Sequence, residues 1–210
     1  TRHLKVSRKR ESEATEMERI FLWAGSQKYA GYVGVSPEDE KKMCWDIPSI
    51  GQPLPALDDW ETPLLTQYLG DGKKLRKPKK IGDSPSAGLP MLISQRAADA
   101  LRDIWNKHAI LYPAKLNDSP DNYYMVKVIT MLDCLDESSS KVIKNHKGMI
   151  RSVEQWKFKP QCLGEVDLFV LPYHEAVYYV SDVFRCRVVA AGLKGFVFRN
   201  SFWEVDPFTS

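Results

Sequence analysis

The chain has 210 residues, 43% hydrophobic and 27% charged, with a formal net charge of +3. This length suffices for one domain or two small lobes, the balance is that of an ordinary globular protein, and a charge so near zero does not call for a polyanionic partner. No apolar run approaches the roughly 20 residues that cross a bilayer, and the charged amino terminus shows no secretory signal. The four cysteines, Cys44, Cys134, Cys162 and Cys186, form no CxxC pair, so reduced thiols in a cytoplasmic protein are expected.

Residues 1–18 carry basic residues up to Arg10 and then glutamates, with almost no apolar periodicity. They are expected to form a flexible charged tail, with Met17 a plausible natural start. Residues 19–88 read as a β-rich region interrupted by loops. Residues 20–23 make a first strand, and 29–35 a second, bent at Gly31 or Gly34. Pro48, Pro53, Pro55 and Pro63 make 46–63 an extended loop. A lysine-rich loop, 70–88, follows.

Residues 89–210 read as an α+β region. Ser94 caps a helix whose Ala97, Leu101, Ile104, Trp105 and His108 share one face. A strand over 109–112 is stopped by Pro113, and 118–122 is turn chemistry. Residues 123–132 form the strongest strand, almost wholly apolar, and therefore one covered on both faces. Further strands are expected over 149–158, 167–171 and 177–180. A second helix begins after Ser181 and is ended near residue 191 by Gly192, which accepts a left-handed backbone. Residues 195–198 close the region, and Phe202, Trp203 and Phe208 in the tail are expected to pack.

Two segments match. Residues 89–113 and 176–200 each read as strand, serine, helix, strand, and aligning Ser94 with Ser181 pairs Leu101 with Val188 and Leu111 with Phe198 without a gap. The fold class expected is α+β, a mixed, largely antiparallel sheet with two short helices from this duplicated unit.

Evident reactive centres are missing. His3, His108, His146 and His174 stand in no HExxH or metal-ligand spacing, so neither metal nor other cofactor is expected. Ser94 and Ser181 lack the glycines of a nucleophile elbow, and helix capping explains both. Asp133, Asp136 and Glu137 could do acid–base work with His146 or His174, though a capped turn explains them more simply. No glycine-rich phosphate cradle is present. Lys73, Lys74, Arg76, Lys77, Lys79 and Lys80 could meet a phosphate backbone, but no aromatic residues interleave with them, so they read as a solvated loop and not as a nucleic-acid site.

The carboxy-terminal run, with Val180, Ser181, Gly192, Leu193, Gly195 and Phe198, resembles the end of a family of bacterial immunity proteins from polymorphic toxin systems, many encoded beside type VI secretion effectors. The tyrosine-led strand at 123–132, with Asp133, Cys134, Asp136 and Ser140, resembles a second signature of that family. The resemblance covers about half the chain. It implies a protein that captures a cognate toxin and occludes its active site, with no catalysis, membrane or nucleic acid involved. Asp136, Ser140, Ser181, Gly192, Gly195 and Phe198 would be its fold determinants. From the residues alone, the loop Asp58, Asp59, Trp60, Glu61 is the candidate toxin contact, a large aromatic among carboxylates; an inward-packed Trp60 is the alternative. A small enzyme and a nucleic-acid-binding module are the rival readings.

Overall fold

Alternating apolar residues along short segments produce eleven strands among the described residues. These residues, in a computed structural model, are 20–44, 49–70, 75–85 and 90–201. The expectations for residues 1–18, for Lys73 and Lys74, and for Phe202, Trp203 and Phe208 fall outside them. The elements are β1 (Ile20–Gly25), β2 (Tyr32–Gly34), α1 (Pro37–Cys44), β3 (Leu64–Gln67), β4 (Met91–Ser94), α2 (Gln95–Ala100), α3 (Arg102–His108), β5 (Ala109–Leu116), β6 (Tyr123–Val128), β7 (Lys141–Lys144), β8 (Ile150–Gln155), α4 (Pro160–Leu163), β9 (Leu168–Leu171), β10 (His174–Ser181), α5 (Asp182–Ala190) and β11 (Phe196–Arg199). The fold is α+β, with mostly antiparallel sheets.

One sheet has the order β11-β1-β10-β9, a second the order β2-β3-β5-β6-β4, and β7 and β8 form a separate hairpin. The duplicated segments take the same shape. In the first, β4 and β5 both run antiparallel to β6, which lies between them. In the second, β10 and β11 both run antiparallel to β1. Each unit is therefore two parallel strands joined through a helical segment and split by one antiparallel strand. The splitting strand follows the first unit but comes from the start of the chain for the second. Residues from both sides of the 88/89 boundary thus share each sheet.

One face of each sheet and the helices of both units close on a common core. Trp23 of β1 sits at its centre, 5.2–5.9 Å from the rings of Trp105, Tyr178, Phe184 and Phe196. The Tyr178 hydroxyl donates to the Val126 carbonyl at 2.7 Å and so ties one sheet to the other. The opposite face of the five-stranded sheet buries Leu92, Tyr112 and Met125 beneath Met43 of α1, Trp60 and Ile81. The opposite face of the four-stranded sheet buries Phe169 and Tyr179 against Cys134, Val153, Trp156 and Leu163. β6 is interior, as expected, but it ends at Val128 and not at residue 132, and Ile129 beyond it is exposed.

Local departures from the sequence reading have physical causes. The first helix is broken at Leu101, where the Ala97 carbonyl accepts both the Leu101 amide and the Trp105 indole N–H. Pro113 does not end β5 but lies inside it. Its side of the strand faces Trp60 rather than β6, so the missing donor costs no ladder bond. α1 is a further helix. Ser36 Oγ accepts the Asp39 amide while Asp39 Oδ2 accepts the Ser36 amide and hydroxyl, a reciprocal cap. Cys134 is buried and its thiol is pushed up to about 12 by that burial, whereas Cys186 lies exposed on α5.

Candidate functional site

The loop singled out in the sequence forms an acidic lip on the cover of the five-stranded sheet. Leu57–Asp59 make one 3-10 turn. Asp58, Asp59 and Glu61 are exposed. Trp60 is half-buried: its indole N–H donates to the Pro113 carbonyl at 2.9 Å, and its ring lies 4.6 Å from that of Tyr112. The Tyr112 hydroxyl in turn donates to the Pro55 carbonyl. Trp60 thus anchors the lip to β5, while the carboxylates face water. Lys42 lies 2.6 Å from Glu61 and holds its carboxyl below the usual range. Leu57 within the lip is exposed, as are Val35 and Leu64, where the Val35 amide donates to the Leu64 carbonyl. The lip itself thus carries three exposed carboxylates, one of them paired with Lys42. The sequence reading missed these three aliphatic residues because exposure, not residue type, sets them apart.

In the acidic cluster past β6, Asp133 is exposed, Asp136 builds a turn and Glu137 is ion-paired. Asp136 Oδ1 accepts the Ser138 amide and hydroxyl at 3.1 and 2.6 Å, which lowers its pKa. Glu137 pairs with Lys144 at 2.6 Å. His174 Nε2 lies 3.0 Å from the Arg151 carbonyl, and His146 is exposed on the hairpin turn. Asp136 and the two histidines are thus committed to separate partners or to solvent. The described residues hold no group of three or more His, Cys, Asp or Glu placed to bind a metal ion.

The end of the lysine loop is strapped down. The Ala30 amide donates to the Lys80 carbonyl at 2.9 Å, the Lys79 amide donates to Gln67 Oε1, and Lys79 Nζ reaches the Gln27 carbonyl. Beside it lies a cleft of about 780 Å³ between Lys80, Arg96, Asp121, Tyr123 and Lys194. Asp83 in its wall is saturated. Its Oδ1 accepts the Ser94 hydroxyl at 2.8 Å, and its Oδ2 accepts Arg96 Nη1 at 2.9 Å and the Lys194 amide at 2.8 Å.

The residues carried by the resemblance sit at joints of the fold. Ser140 Oγ accepts the Lys157 amide at 2.9 Å, and the Asp136 amide donates to the Lys157 carbonyl at 2.8 Å. Ser181 caps α5 by accepting the Phe184 amide. Gly192 follows that helix at φ +62°, and Phe198 is fully buried. Gly195 has φ +92°, and a Cβ there would lie 2.7 Å from the Ser84 carbonyl oxygen. An unanticipated pair of aspartates completes the duplication. Asp83 receives the hydroxyl and amide of Ser94, and Asp167 receives those of Ser181. The sequence hid this because the aspartates precede their serines by different intervals.

Comparison with protein families matches residues 61–201, about two thirds of the chain, to the model described as Immunity protein family (Imm11). It begins within the acidic lip, at Glu61, and runs past β11. No curated protein is found similar to the chain.

Proposed function

Because the chain belongs to the Imm11 immunity protein family, we propose that it neutralises a cognate secreted toxin by binding it in the cytoplasm and occluding its active site. The toxin would be an effector of a polymorphic or type VI secretion system. The family match is the observation that carries this reading. We place part of the contact on Asp58, Asp59, Trp60 and Glu61, with Trp60 as the anchor that holds the carboxylates in position.

The test is co-production with the toxin domain of the effector encoded beside this protein's gene. Cells making both should grow, cells making the toxin alone should not, and the purified pair should co-elute. Replacing both lip aspartates, D58K/D59K, should weaken the complex by about tenfold or more without altering the melt, since neither side chain packs. Unchanged affinity in that variant would remove the lip from the interface.

A further inference from the structure

We propose that the β7–β8 hairpin is a toxin-engaging arm whose partner surface is acidic with an apolar floor. The inference rests on the toxin-binding reading above but not on the acidic lip. Three observations carry it. First, the hairpin belongs to neither main sheet. Val153 secures its inner side to the core under the four-stranded sheet, and the Arg151 carbonyl is held by His174. Its outer side therefore carries little of the fold.

Second, the turn is built in advance. The Asn145 side chain accepts the amides of Lys147 and Met149 at 2.9 and 3.1 Å. The Asn145 amide donates to the Met149 carbonyl at 2.9 Å, and Gly148 takes φ +77° with open space around it. A turn already ordered loses little entropy when it docks.

Third, the hairpin carries two exposed large apolar side chains together with cations. Met149 is 57% and Ile143 45% exposed. The same hairpin carries Lys141, Lys144, Lys147 and Arg151. Lys141 is paired with Glu154 and Lys144 with Glu137, while the side chains of Lys147 and Arg151 have no ion-pair partner among the described residues. Unpaired cations beside an unbranched, adaptable apolar side chain fit a protein surface carrying carboxylates. They fit nucleic acid less well: two free cations release few counterions, and no aromatic ring offers a stacking platform.

The experiment measures association of the full chain with the immobilised, catalytically inactivated toxin domain of the neighbouring effector, at low and raised salt. K147E/R151E should slow association about tenfold or more at low salt, with the difference shrinking as salt rises. M149D should speed dissociation, and both variants should melt like the wild type. Variants that melt and bind as the wild type does would overturn the arm. So would wild-type binding to a DNA duplex that K147E/R151E abolishes while toxin binding persists. A wild-type chain that does not bind the toxin would instead bring down the reading on which the arm rests.

Discussion

At the residue scale, His108 is a clear point of sensitivity. It is 7% exposed at the end of α3, and Nδ1 lies 3.0 Å from Thr130 Oγ1 while Nε2 has no partner among the described residues. Burial pushes its pKa below 6.5, Lys107 adds to the depression, and Asp167 opposes it. The folded chain therefore binds fewer protons at this site than the unfolded one. Its contribution to stability is present above about pH 6.5 and is lost as pH falls toward the folded value. Urea midpoints for the wild type should drop between pH 7.5 and 5.5, and H108N should flatten that drop; an equal slope in the variant would contradict it. Gly195 makes a second, independent case. G195A forces a Cβ into the Ser84 carbonyl at a left-handed φ, and should cost about 2 kcal/mol or more in chemical denaturation.

At the scale of elements, the two serine-capped helices have the same clasp. S94A and S181A should each lose about 1 kcal/mol from the cap alone. D83A should lose more, about 2–3 kcal/mol, because Ser94, Arg96 and the Lys194 amide all lose an acceptor. Parallel denaturation curves give the comparison. Much of this scale was legible in the sequence. Ser94, Ser181 and Gly192 announce the helix ends because capping is local chemistry. The face Ala97, Leu101, Ile104, Trp105, His108 is buried as its spacing predicts. What was not legible depends on distant partners. At the break at Leu101 the Ala97 carbonyl is shared with the Trp105 indole, a contact that helical periodicity does not reveal. The harmless placement of Pro113 depends on which side of β5 has a neighbour. The short β3 and β7 carry too little apolar periodicity to be seen.

At the scale of the whole molecule, the splitting of both units decides how the chain holds together. β1 comes from the start of the chain, yet it is the middle strand of the second unit and brings Phe21 and Trp23 to the common core. Sequence order could not reveal this, since the pairing spans more than 150 residues. A fragment beginning at Gln27 would retain the whole family-matched range but lose that strand. It should lack a cooperative unfolding transition, whereas the full chain should unfold in a single one; sharp melting of the fragment would mean the units are independent. The same architecture leaves the acidic lip and the basic hairpin as covers on two different sheets, free to vary without disturbing the shared core.

The account stands or falls on capture of another macromolecule by surface alone. The direct measurement is calorimetric titration of the purified chain with the inactivated toxin domain encoded beside its gene, followed by toxin activity in the mixture. We predict saturable binding at a fixed stoichiometry, with activity vanishing at the same ratio. Activity lost without a complex, through chemical change to the toxin or its substrate, would contradict it.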